Sequence, residues 1–438
     1  MTDTNEFVTP AQYSLPFSSA DQELTPLDLV MPRLYGTRWI LAFPLSPGAD
    51  KAQIYKDLAE DLPSYDDLKR DNFPLNQLPN DKLSPVGVMA EPLAPVMAAQ
   101  ANFIQGGLLL TAALHHSAGD ATALETILGA WAQNTATAAA SGSAFTFYDA
   151  PSNDRSCLMQ GTPPESMADF PEFILSPNEK PPAPAVDGEA PPPAAFQLPP
   201  MMVRILFFST AKLAGLKQEA AAYSTHDALC AFLWCQMTAA RNPAPSAATE
   251  GKVSAFISAI NVRGRANPPL PPTYLGNASI PSMTDRVPVS ELTAGPSGGE
   301  DKTAATTTTT GGGLQRAAAL IRASLKRNLA ANRVPETVGL LGSRIDPSDY
   351  KLTFNGFLGP DVVSSSWSDV KVYADNWGGE LGNPEFFRMP GDAADGIVFV
   401  LPRRPGEEGL EVVVGLELGA MERLLESQEF RRVAEIRC

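Results

Sequence analysis

The stretch from Gly107 to Ala139 constrains the fold more than any other part of the chain. Gly107-Leu108-Leu109-Leu110-Thr111-Ala112-Ala113-Leu114 is an apolar run of strand length, which predicts a strand buried on both faces. Ala121 to Ala139 predicts a helix, because Leu124, Ile127, Leu128 and Trp131 recur at i, i+3, i+4 and i+7 and form one apolar stripe. Only a short turn, His115-His116-Ser117-Ala118-Gly119-Asp120, joins the two. It carries two of the chain's three histidines, with His116 and Asp120 in an H-x-x-x-D spacing. An imidazole at such a turn can act as a base near neutral pH. An aspartate just before a helix is also a natural N-cap, so on the hexapeptide alone the structural reading is the commoner one.

The length of 438 residues suits two domains of roughly 200 residues each. A net charge of −16 and a pI near 4.7 argue against nucleic acid or an anionic membrane as partner, since both attract basic patches. Met1 to Glu6 is polar and acidic, without the cationic and apolar stretches of a signal peptide. No apolar run approaches the roughly 20 residues of a membrane helix, so the expectation is a cytoplasmic protein. Cys157, Cys230, Cys235 and Cys438 show neither metal-type nor disulfide-framework spacing. With three histidines in all, no zinc site is expected.

Three stretches read as connections. Pro177 to Pro200 is proline-rich and extended, and it divides the chain into 1–176 and 201–438. Gly295 to Gly313 contains a threonine run followed by glycines and reads as a surface loop, and Pro402 to Gly409 as a hairpin-like turn. Between them strands and helices alternate. Strands are expected at Trp39 to Pro44, Met202 to Phe208, Val253 to Ile260, Gly396 to Leu401 and Leu410 to Leu418. Helices are expected at Ala52 to Asp61, Thr210 to Ala222, Asp227 to Ala240, Leu314 to Leu329 and Met421 to Ser427. Alternation in both halves implies α/β layering.

Two further landmarks stand out. Asn261-Val262-Arg263-Gly264-Arg265 follows a predicted strand and leads through Pro268-Pro269-Leu270-Pro271 to Tyr274-Leu275-Gly276-Asn277. Two arginines at a strand end can bind phosphate or lock a carboxylate, or can simply be solvated. Ser364-Ser365-Ser366-Trp367 and Val372-Tyr373-Ala374-Asp375-Asn376-Trp377-Gly378-Gly379 are dense in serines, aromatics and glycines, and a structural turn explains the latter by itself.

Together the landmarks resemble the BAHD superfamily of acyl-CoA-dependent acyltransferases, in its fungal branch. His116-x-x-x-Asp120 is similar to the family's HxxxD motif, and Asp375 to Gly379 stands where the family has DFGWG. Asn261 to Asn277 resembles another shared segment, Thr25-Pro26-Leu27-Asp28 the lead into the family's first strand, and Ser224-Thr225-His226-Asp227-Ala228-Leu229 its S-T-N-D-A-L helix start. The resemblance spans about residues 24 to 436. The chain departs from the pattern at Ala121, where the family has glycine, at Asn376, Trp377 and Gly378 within the second motif, and at His226, where the family has asparagine.

The resemblance implies two α/β domains related to chloramphenicol acetyltransferase, with a channel between them, and a monomer. It implies acyl transfer, acetyl by default, from acyl-CoA to a hydroxyl (or amine) of a small secondary metabolite, with no permanently bound cofactor and no metal. His116 would be the general base. Asp120 would orient the loop by pairing with Arg263. Trp377 would be an oxyanion donor, Lys252, Ser254 and Arg265 CoA contacts, and Ser366 and Trp367 the acceptor pocket. Asp375, Gly378 and Gly379 would give structural support. Two other readings remain open: a carrier-protein-dependent condensation-type enzyme, whose motif also starts with paired histidines, and a degenerate non-catalytic binding protein.

Overall fold

The computed structural model describes residues 23–45, 62–91, 93–141, 150–176, 198–243, 250–294, 312–391 and 394–438. The helix expected at 52–61, most of the proline-rich connection and most of the 295–313 loop lie outside them.

The main strands are β1 (Thr37–Pro44), β2 (Met97–Ile104), β3 (Gly107–Leu114), β4 (Met201–Ser209), β5 (Phe256–Asn261), β6 (Ser279–Met283), β7 (Val362–Ser366), β8 (Phe386–Arg388), β9 (Ile397–Val400), β10 (Gly409–Glu417) and β11 (Glu435–Ile436). The main helices are α1 (Ala121–Ser141), α2 (Thr210–Glu219), α3 (Thr225–Arg241), α4 (Gly313–Asn328), α5 (Arg333–Leu341) and α6 (Leu418–Glu426). The apolar 107–114 run is strand β3, buried at every position between β1 and β2. The expected strand at 253–260 breaks at Ala255, so β5 begins at Phe256. Pro26–Leu29, expected as the lead into a strand, forms one helical turn. Thr25 and Asp28 close a capping box around it and Pro26 occupies its first position, where a missing N–H costs nothing.

Two sheets carry the architecture. The first is antiparallel in the order β8-β1-β3-β2. The second runs β11-β4-β10-β9-β7-β5-β6, with β9, β7 and β5 parallel and their neighbours antiparallel. Strand periodicity assigns the faces of the second sheet. Leu206, Phe208, Val412 and Val414 point into a core shared with Leu229, Phe232 and Leu233 of α3 and with Ala317 and Ile321 of α4. The alternate residues Ile205 and Val413 point the other way, into a core with Trp39, Leu110, Leu124 and Leu128 of the first sheet and α1. The second sheet is thus packed on both faces, and its outer β4–β10 pair joins the two cores.

The division at 177–200 needs correction on one point. β8 pairs with β1, Ile40 opposite Arg388 and Ala42 opposite Phe386, although it lies far along the chain. Tyr373, Trp377, Phe386 and Phe387 also belong to the core of the first sheet. The segment around 372–388 therefore completes the first layer. Arg388 anchors it there, fully buried, with bonds to Glu411 and to the carbonyls of Asn72 and Phe73.

Candidate active site

β3 ends at Leu114 and α1 starts at Ala121, so the histidine turn is fixed at both ends by buried elements. His116 N–H donates to the Leu34 carbonyl at 2.8 Å, and His115 N–H to Val96 at 2.9 Å. Gly36 lies close to the His116 ring, and a Cβ there would stand 2.9 Å from His116 Cδ2. Gly119 lets the Leu275 backbone approach, since a Cβ would meet its carbonyl oxygen at 2.6 Å. Burial pulls the His116 pKa below its ordinary value near 6.5, against hydrogen bonding by its own carbonyl, the Asp120 charge, Asn277 and Asp28. His116 is therefore neutral at pH 7 and able to accept a proton.

Asp120 does not face the ring. Its two oxygens accept from Ala123 N, capping α1, from both terminal nitrogens of Arg263 at 2.8 and 2.9 Å, and from Ala278 N. Arg263 is 4% exposed, and its remaining donors reach the Tyr274 and Gly276 carbonyls. One bidentate pair thus ties the histidine turn to the loop that follows β5.

A second arm was not legible in the sequence. Asp28 is 0% exposed and accepts from Thr25, from Arg155 Nη1, and from the Asn277 backbone N and Nδ2. Arg155 passes on to the Ala118 carbonyl at 2.9 Å, and Asn277 Nδ2 to the His116 carbonyl at 2.7 Å. The detectable signal was the T-x-x-D capping box at Thr25–Asp28, which marks a buried aspartate without naming its distant partners.

Other expected site residues fall elsewhere. Trp377 is 2% exposed and packs edge-on against Phe43 and Trp131. Phe43 is opposite Leu108, six residues from the Leu114 end of β3, or about 20 Å at roughly 3.3 Å per residue. An indole at that end cannot donate to an oxyanion beside His116, so that role is withdrawn. Ser254 is also excluded as a CoA contact, because its buried hydroxyl donates to the Pro360 carbonyl and accepts from Trp234 Nε1. Trp367 is 4% exposed and stacked on Phe399 beside Trp39 and Phe387, so it is core and not pocket wall. Ser366 beside it is exposed. Lys252 is exposed and shares a cavity of about 670 Å³ with Arg241, Arg286 and Arg423. Arg265 is exposed beyond the other end of β5, with Nη1 on the Asn261 carbonyl, so the two cations cannot hold one phosphate group. Gly378 has φ +71°, and a Cβ there would meet Ala136 Cα at 2.5 Å, so glycine is required for α1 to approach. Asp375 lies in the same approach, close to Gly129, and its pKa is raised to about 6 by burial and by Glu125. Gly379 also has positive φ, 53°, but open space around it. His226 Nε2 lies 3.5 Å from Cys230 Sγ near the start of α3.

Among the described residues no helix is long and apolar enough to cross a membrane, and no three His, Cys, Asp or Glu side chains gather as a metal site.

A fold of two packed α/β layers with a histidine turn clamped between them defines an acyltransferase class. The model of the Transferase family matches residues 59–431, and the chain belongs to that family, that of the BAHD acyl-CoA-dependent acyltransferases. It is 27% identical over 397 residues to the acyltransferase easC of Emericella nidulans, covering 85% of this chain and 76% of that one. It is 26% identical over 401 residues to the trichothecene 3-O-acetyltransferase TRI101 of Fusarium sporotrichioides, covering 86% and 79%. The crystal structure of F. sporotrichioides TRI101 with coenzyme A and T-2 superposes at TM-score 0.74 with 19% identity, over 96% of this chain and 100% of that one. Vinorine synthase superposes at TM-score 0.58 with 16% identity, over 99% and 98%.

Proposed function

We propose that this chain transfers an acyl group, acetyl by preference, from acyl-CoA to a hydroxyl of a small secondary metabolite, with His116 as general base. The observation that carries the reading is the setting of His116: a buried imidazole whose pKa burial pulls down, on a turn tied by two buried carboxylate arms. Relatives named eremophilane O-acetyltransferase and trichothecene 3-O-acetyltransferase support the O-acetyl choice, and the coenzyme A complexes of TRI101 support the donor. An amine acceptor stays a variant of the same chemistry.

In this reading His116 removes the acceptor O–H proton as that oxygen attacks the thioester carbonyl. The tetrahedral adduct collapses, the C–S bond breaks, and the thiolate takes the proton back from the imidazolium. The proton count closes with no metal in the scheme. Asp120 and Arg263 hold the turn and do not touch substrate. Lys252 and Arg265 are separate cations available to different parts of CoA, and the exposed Ser366 is the remaining candidate contact for the acceptor. Asp375, Gly378 and Gly379 act through α1 packing. The chain works as a cytoplasmic monomer in this account.

The test is acetyl transfer from acetyl-CoA to a panel of hydroxylated terpenoid, alkaloid and polyketide acceptors, read as ester product. His116→Ala should lose about 10²- to 10⁴-fold in turnover, the usual contribution of a general base. Equal turnover by wild type and variant would end the base assignment. Activity with an acyl-carrier protein and none with acyl-CoA would favour the condensation-type enzyme.

A further inference from the structure

The histidine turn is held by two carboxylates, and only Asp120 belongs to the H-x-x-x-D spacing. Asn277 is the link from the other, Asp28, to the base. Its Nδ2 donates to Asp28 Oδ1 at 2.9 Å and to the His116 carbonyl at 2.7 Å. Both amide protons are thereby committed, so the orientation of the amide is settled and its oxygen faces away from Asp28. That oxygen, Asn277 Oδ1, is buried without a hydrogen bond. His116 Nδ1 is buried without one as well. Unpaired buried polar atoms are rare in folded proteins, and here an amide oxygen and a ring nitrogen able to carry a proton sit on two residues already in hydrogen-bond contact.

We infer that Asn277 is a positioning residue for His116. Its Oδ1 accepts the Nδ1–H of the neutral ring, which keeps Nε2 free to take the substrate's proton and steadies the imidazolium once Nε2 has gained it, and Asp28 sets the direction of the amide. This rests on His116 being the base. The ring's surroundings agree: its own carbonyl, the Asp120 charge, Asn277 and the Asp28 charge favour the protonated form against burial. The arrangement thus eases the imidazolium that forms during attack without charging the resting ring. It also explains why Asp28 is buried with a full set of donors so far from Asn277 in sequence.

The experiment is ¹⁵N NMR of the imidazoles in the full chain, which is tractable with three histidines. His116→Ala assigns the signal. In wild type His116 should show one tautomer, protonated at Nδ1. In Asn277→Ala its titration midpoint should fall and the tautomers should mix. kcat should drop tenfold or more with KM for acetyl-CoA unchanged, and the acid limb of the kcat profile should move to lower pH. A purely structural role would lower Tm and leave tautomer and midpoint in place, and that result would overturn the inference. Should Asn277→Ala not fold, Asp28→Asn removes the directing charge and should lower the midpoint in the same sense, and an unchanged midpoint there is equally fatal. Failure of the base assignment looks different: His116→Ala would then keep its turnover whatever the NMR of the Asn277 variant shows.

Discussion

Removing Asp120 tests the clamp that holds the turn. Asp120→Ala strips four donors at once: Ala123 N, Ala278 N and both terminal nitrogens of Arg263. Arg263 stays in place at 4% exposure with only carbonyl partners. Breaking a buried pair from one side costs about 3–5 kcal/mol, and a lost cap about 1 kcal/mol more. The terms share atoms and do not simply add. A loss of about 3–5 kcal/mol is expected, a large share of the stability of any domain. Arg263→Leu alone should cost a similar amount, because it leaves Asp120 buried with backbone donors only. The double variant should cost less than the sum by about 2 kcal/mol or more, since neither charge is then stranded. Urea unfolding of the four proteins, followed by tryptophan fluorescence, gives the cycle. A coupling within about 0.5 kcal/mol would mean that the two side chains act independently, and the clamp would be refuted.

Four other outcomes follow from the same geometry. The acid limb of kcat/KM should lie below pH 6.5, because burial lowers the His116 pKa and the base is lost only as pH falls through that lowered value. Burial also lowers His115 and His226, so below about pH 6.5 the unfolded chain gains protons that the folded chain refuses, and stability should fall with pH there, measurable by thermal melts across pH 5 to 8. Gly36→Ala should fold but turn over slowly, because its Cβ would press on His116 Cδ2 from 2.9 Å; wild-type turnover with an unchanged melt would show that the ring has room to move. Gly378→Ala combines a left-handed backbone with a clash on α1, so it should cost more than about 1 kcal/mol in the first layer, and an unchanged melting temperature would contradict that packing.

The sequence carried the local physics well. β3, the turn and α1 follow from an apolar run and a 3.6-residue stripe, which are short-range signals. The Asp120–Arg263 pair was legible only because the resemblance supplied a partner 143 residues away. The Asp28–Asn277 and Asp28–Arg155 bonds span 249 and 127 residues, and no local pattern encodes which buried carboxylate meets which donor. Trp377 and Trp367 show the reverse: the resemblance gave them an oxyanion role and a pocket role, whereas both indoles fill the core, as the structural-turn reading of the aromatic-rich segment implies. The resemblance made Ser254 a CoA contact, and no local pattern shows that its hydroxyl is already taken by Trp234 and Pro360, which come from distant elements. Strand β8 was missed because three residues are too few for a periodic signal, and its place beside β1 is set by the buried Arg388.

The central claim is acyl-CoA chemistry with a separable base. Calorimetric titration of wild type and His116→Ala with acetyl-CoA tests it without knowledge of the acceptor. The account predicts micromolar binding that survives the substitution while transfer is lost. No binding of acetyl-CoA or of free CoA to the folded wild-type protein would contradict it.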